Sequence, residues 1–216
     1  MMKLTKKYTK VLLLCGILSS LLYIGTDILA SWLFEGYSIT SQQISELSAI
    51  GAPTRQLWIA MSFIWAPLVI AFGIGVLQIS SPKRSIRITG ILLAIYGVIG
   101  LLWNFAPMHQ RGTVELAVDI MHIIFASVQV LLIILFIILG SGAKGTGFRV
   151  YSILTILALI VFGAWTSTKA SAIAEGQSTP WMGIVERVNV YLSMLWVLVF
   201  AVILLRSEKK KILSKT

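Results

Sequence analysis

One cysteine, two histidines and eight acidic residues are all that this 216-residue chain offers for thiol, imidazole and carboxylate chemistry. The lone Cys15 excludes an internal disulfide framework and reads instead as a small apolar residue of a helix. Charged residues are scarce at 12% of the chain. The sequence has no glycine-rich phosphate loop at a strand–helix junction and no G-x-S-x-G elbow, so neither nucleotide-phosphate nor serine-hydrolase machinery of those types is encoded. It also lacks internal repeats and low-complexity segments. Apolar residues are abundant, at 57% of the chain with a mean hydropathy of +0.91. Those values exclude a soluble globular domain and define an integral membrane protein.

A helical span needs roughly 20 apolar residues. Six stretches qualify, at about 9–32, 56–80, 88–106, 118–140, 149–169 and 184–206. The runs are continuous and do not alternate with period two, which predicts helices and not a barrel. The expected fold is all-α: a polytopic six-transmembrane-helix bundle forming a single domain over 1–216. Leu14 precedes Cys15, where lipoprotein processing needs a small residue, so the first run reads as an uncleaved span.

The net charge of +10 is a topology signal. Lys3, Lys6, Lys7 and Lys10 precede the first span, and Lys83, Arg84 and Arg87 separate the second from the third. Lys144 and Arg149 precede the fifth, and Arg206, Lys209, Lys210, Lys211 and Lys215 lie at the end of the chain. That gathers 14 of the 18 basic residues on one side. Arg55, Arg111, Lys169 and Arg187 are left on the other. The positive-inside rule then predicts cytoplasmic N- and C-termini and a multi-pass protein of the cell membrane. The distribution gives no case for a nucleic-acid partner.

The side without the basic clusters, expected to be the outer one, carries most of the chemistry. Seven of the eight acids (Asp27, Glu35, Glu46, Glu115, Asp119, Glu175 and Glu186) and both histidines, His109 and His122, fall there. Acidic residues contribute little to orientation, so topogenesis does not explain the bias. Trp32, Trp58, Trp103, Trp165 and Trp181 lie near the same boundary, as in an aromatic belt. In "TSQQISELSAIGAPTR", residues 40–55, Thr40 and Gln43 have capping-box spacing, and Gly51 with Pro53 is a stop signal. Ile44, Leu47 and Ile50 recur on one face. This predicts a short surface helix at about 41–50, with Glu46 directed away from the apolar side.

Several polar groups lie inside predicted spans on consistent faces: Ser20, Tyr23 and Asp27; Asp119, His122 and Gln129; Glu186, Asn189 and Ser193. Arg187 and Tyr191 occupy a neighbouring face. An ionised group in hydrocarbon costs about 2.5–3.5 kcal/mol even on the lenient insertion scale, and such residues turn toward a bundle interior. The expectation is a polar pocket open to the outer leaflet. Asp119, one turn before His122, would accept a hydrogen bond from the ring and orient it. His109, His122 and Asp119, with Asp27 or Glu186, offer nitrogen and oxygen donors enough for zinc, although D-x-x-H is no recognised ligand signature.

"QISELSAIGAPTR", "NFAPMHQRGTVE…DIMH" and "GIVERVNV" resemble the uncharacterised bacterial and archaeal membrane proteins grouped as domain of unknown function 998. The resemblance spans essentially the whole chain. It implies a six-helix membrane protein and singles out Ser45, Glu46, Pro53, His109, His122, Glu186 and Arg187; it implies no reaction. A looser similarity is to the zinc-dependent intramembrane hydrolases of the alkaline-ceramidase type. Their S-x-x-x-H-x-x-x-D pattern is echoed by Ser19, Tyr23 and Asp27, with tyrosine in place of the metal-binding histidine.

These features predict a pocket for a lipid or amphiphile head group. Asp27, Ser45, Glu46, Arg55, Asn104, His109, Arg111, Lys169 and Asn189 would bind it. If there is chemistry, His122 would be the general base, with Asp119, Glu186 and Arg187 completing the catalytic set. The alternatives are a membrane sensor, immunity or interaction protein using the same pocket, and thirdly a small transporter.

Overall fold

A computed structural model describes residues 6–79, 82–113 and 116–213, with side chains at 7–79, 82–113 and 119–209. The side chains of Lys3, Lys6, Glu115, Lys210, Lys211 and Lys215, all used in the charge argument above, lie outside that set. Among the described residues the chain forms α1 (Lys6–Leu33), α2 (Arg55–Gln78), α3 (Arg84–Leu102), α4 (Leu116–Gly140), α5 (Gly145–Ser167), the short α6 (Ala170–Ala174) and α7 (Met182–Leu213). All but α6 are long and apolar enough to cross a bilayer. The predicted spans therefore correspond to α1 to α5 and α7, with α7 continuing past the expected end at 206.

Helix ends follow local chemistry. After α3 a 3-10 turn at Trp103–Phe105 runs into Ala106, whose backbone is non-helical at φ −124° and ψ 55°. Pro107 disfavours helical geometry in the residue before it, and so the third span stops there. Between α2 and α3 the backbones nearly touch. A Cβ at Gly73 would lie 2.6 Å from the Gly90 carbonyl, and one at Gly90 would lie 2.9 Å from the Gly73 carbonyl. Small residues permit this approach, which maximises dispersion contacts where lipid offers no hydrophobic driving force.

The helices form a ring in the order α5–α7–α1–α2–α3–α4, and α4 meets α5 and α7 only sparsely. Six crossings bring both ends of the chain to one end of the bundle, here the terminal end; segments 34–54, 106–113 and 168–181 gather at the opposite, loop end. Toward the terminal end the core is aromatic. Trp196 stacks against Phe148 at 5.7 Å and Phe200 at 4.9 Å, and lies 5.6 Å from Phe136. Its indole N–H donates to Ser152 Oγ at 2.9 Å.

The expected surface helix at 41–50 is a tighter 3-10 helix, Ile44–Ser48. Ile44 and Leu47 are buried as the spacing predicted, whereas Ile50 is exposed. Glu46 is fully buried, contrary to the expectation that it faces away from the apolar side. The reason is pairing: a carboxylate surrounded by four donors loses little by leaving water. Trp58 also departs from the expected belt. It is buried on α2 and packs edge-on to Tyr23 at 5.3 Å.

Candidate functional site

Asp27, on the seventh turn of α1, is completely buried and meets Arg187 of α7 in a fork-on-fork pair. Arg187 Nε donates to Asp27 Oδ2 and Nη2 to Oδ1, both at 3.0 Å. The same guanidinium donates to Ser31 Oγ, Tyr37 Oη and the carbonyls of Ile39, Gln42 and Gly183 at 2.8–3.2 Å. Five N–H groups thus face seven oxygens, which saturates the cation. Tyr191 completes the cluster by donating to Asp27 Oδ2 at 2.5 Å. Gly183 is what lets the first loop settle on α7: a Cβ there would collide with the carbonyls of Ile39 and Gln42. Burial pushes the Tyr37 phenol above its ordinary value, outweighing the opposing pull of Arg187.

A second pair ties the loops together. Arg111 donates to Glu46 through Nε at 3.1 Å and Nη2 at 2.8 Å. It also reaches the carbonyls of Ser41 and Gln177. Glu46 accepts two more bonds, from the Gln43 amide at 2.9 Å and Gln42 Nε2 at 3.2 Å. Arg55 fixes the far end of the same 3-10 helix by donating to the Ser48 carbonyl at 2.7 Å. Ser45 is half-buried on that helix, and its carbonyl accepts from Ser48.

Glu186 sits one residue before Arg187 but serves a different partner. Its Oε2 accepts the Ile44 amide at 2.5 Å, anchoring the 3-10 helix to α7. One turn further, Asn189 Oδ1 is buried with no hydrogen-bond partner. A Cβ at Gly163 of α5 would lie 3.4 Å from Asn189 Nδ2, which places this carboxamide on the side of α7 that faces α5. Asn104 donates to Ser62 Oγ at 2.8 Å, and Lys169 lies over the Trp165 ring at 5.3 Å.

The expected Asp119–His122 hydrogen bond is not formed. His122 uses Nδ1 on the Ala106 carbonyl at 2.9 Å and rests edge-on against Trp103. Asp119 Oδ1 instead accepts the His109 amide at 3.1 Å and lies 3.3 Å from His109 Nδ1. The chain leaving α3 folds back across the start of α4, so the nearer partner in space is ten residues away in sequence. Among the described residues no three His, Cys, Asp or Glu side chains are grouped to hold a metal ion. His109, His122 and Asp119 thus do not fit the zinc site their composition allowed.

Around these groups the packing is uneven. No described side chain from 119 to 131 on α4, from 160 to 167 on α5, or from 188 to 192 on α7 is buried. Sequence reasoning missed Ser31, Tyr37, Gln42 and Gln177 as partners of the ion pairs. The Y-x-x-x-x-Q spacing of Tyr37 and Gln42, beside a predicted loop helix, was the available signal.

Six apolar helices, bound at one end by buried ion pairs, define a polytopic helical membrane protein. The family described as Protein of unknown function (DUF998) matches residues 17–203, and the chain belongs to that family. No curated protein and no solved structure matches it.

Proposed function

We propose that the protein binds a lipid or other amphiphile in a cleft at the loop end, entered from the bilayer between α4, α5 and α7. The observation that carries this reading is the run of unburied side chains along the loop-end halves of those three helices, together with the unpaired Asn189 Oδ1. A buried carboxamide oxygen without a partner costs about 1–3 kcal/mol, which a bound head group would relieve. The apolar tail would lie along α4, where Ile120, Ile123, Ile124 and Leu131 are exposed. We place both termini in the cytoplasm on the basic-residue distribution. Accessible cysteine labelling from outside at position 42 and not at 143 tests that placement, and the reverse pattern overturns it.

Binding without chemistry, as in a sensor, immunity or interaction protein, is favoured over acid–base catalysis, because Asp119 serves His109 and leaves His122 without a carboxylate to orient it. The reading is tested by native mass spectrometry of protein extracted in a mild non-ionic detergent. Wild type is expected to retain a stoichiometric amphiphile, and Gly163→Leu, which fills the space beside Asn189, is expected to lose it. Equal retention by a folded Gly163→Leu, or none by wild type, would sink the proposal.

A further inference from the structure

We infer that the terminal-end surface formed by the starts of α3 and α5 binds the phosphate groups of anionic phospholipid in the leaflet it meets. This surface is separate from the amphiphile cleft, which lies at the opposite end. Lys83, Arg84 and Arg87 stand at the start of α3, and Lys144 and Arg149 at the start of α5. All five are exposed. Two contacts hold the intervening segments together. Lys83 Nζ donates to the Gly142 carbonyl at 3.4 Å, and a Cβ at Gly140 would lie 3.3 Å from Thr89 Cγ2 of α3.

The buried cations of the loop end have carboxylate partners inside the protein, Arg187 with Asp27 and Arg111 with Glu46. Among the described residues, the side chains of Arg84, Arg87, Lys144 and Arg149 have no hydrogen-bond or ion-pair partner. Of the eight acids in the sequence only Glu208 falls at this end, and it is buried on α7. Lys83 and Arg87 are four residues apart, a spacing at which like charges on a helix repel. The first turns of α3 and α5 contain no acid, so the cations there also oppose the helix dipole. The fold therefore gathers five like charges that nothing nearby compensates, and an anion from outside would supply what is missing.

Depth selects lipid as that anion. The apolar spans begin at Arg84 and Gly145, which puts these side chains at the level of the head groups. Connections 79–83 and 141–144 are too short to carry them outward to a soluble acidic protein. Long cationic side chains at such a boundary lay their stems on apolar surface and keep their charge in the polar layer. There a guanidinium can hold two phosphate oxygens at once.

The test uses full-length protein in non-ionic detergent micelles, titrated with dioleoylphosphatidylglycerol or dioleoylphosphatidylcholine. At about 50 mM salt the midpoint of thermal stabilisation should be about 10-fold lower for the anionic lipid, and the gap should shrink at about 500 mM. Lys83→Gln with Arg84→Gln and Arg87→Gln should remove most of the preference, and Lys144→Gln with Arg149→Gln should reduce it. The charge-conserving pair Arg84→Lys and Arg87→Lys should keep most of it. Lys7→Gln with Lys10→Gln, on α1 at the same end, should leave it nearly unchanged. Equal stabilisation by the two lipids, or full preference in the triple variant, overturns the inference. An equal loss in the α1 variant would show attraction to net charge and not to this surface. Inorganic phosphate or polyglutamate matching the anionic lipid would assign the surface to a soluble anion and overturn the lipid assignment.

Discussion

The two halves of the bundle solve different problems with the same helices. Near the terminal end, Phe72, Phe136, Phe148, Trp196 and Phe200 interlock and leave α4 and α5 anchored by Leu132, Ile137 and Leu159. Near the loop end those two helices bury nothing along 119–131 and 160–167, and order comes instead from ion pairs and hydrogen bonds in the connecting segments. Packing density in one half substitutes for charge pairing in the other. In hydrocarbon, close packing and satisfied polar groups are the two available sources of cohesion. Here they are segregated along the membrane normal. The amphiphile site proposed above lies in the half whose helices α4 and α5 are less buried.

The comparison is most exposed to removal of one charge. Arg187→Met is expected to destabilise by about 3–5 kcal/mol, because Asp27 is left buried and uncompensated. The double variant Asp27→Leu with Arg187→Met should recover much of the loss. Denaturation in mixed micelles reads both, and a double variant no better than the single would show that the pair acts through its loop carbonyls alone. In the other half, Trp196→Ala should cost about 3 kcal/mol through the cavity it opens among Phe136, Phe148 and Phe200. An equal loss of amphiphile binding by the folded fraction would argue against the independence of the two halves.

The division between the halves was only partly legible in the sequence. Hydropathy alone located six spans, because their apolar runs are long and uninterrupted. The gathering of Asp27, Glu46, Asp119 and Glu186 at one end was equally visible. Partner choice was not: Asp27 and Arg187 are 160 residues apart, and nothing local specifies that pair over Glu186 with Arg187. The helical period suggested Asp119 with His122, but a chain reversal at Pro107 delivers His109 first. The 3-10 helix was misjudged as a longer surface helix because its N-terminal acceptor, Glu186, comes from another part of the chain.

Two smaller effects sharpen the contrast. Tyr37 has its phenol raised by burial, so its contribution is fully present below its ordinary value near pH ~10 and is lost as pH rises toward the folded-state value. Stability should therefore be flat through neutral pH and fall in strong alkali. Tyr37→Phe should cost about 1 kcal/mol and reduce that alkaline slope. The least effect is expected at Ile124→Ala, exposed on the loop-end half of α4, at under about 0.5 kcal/mol. Phe136→Ala on the same helix should cost several times more. Comparable losses at the two positions would mean that the loop-end half of α4 is packed after all.

The contact between Asp27 and Arg187 also imposes an order on biogenesis. The acid arrives in the first helix and its counter-ion in the last, 160 positions later. Until the final helix leaves the insertion machinery, α1 carries an uncompensated carboxylate that favours retention near water or a chaperone over release into lipid. A chain terminated before residue 182 lacks Arg187 and Tyr191, the α7 partners of that carboxylate. The salt link of the finished bundle can therefore form only after the last helix has been made.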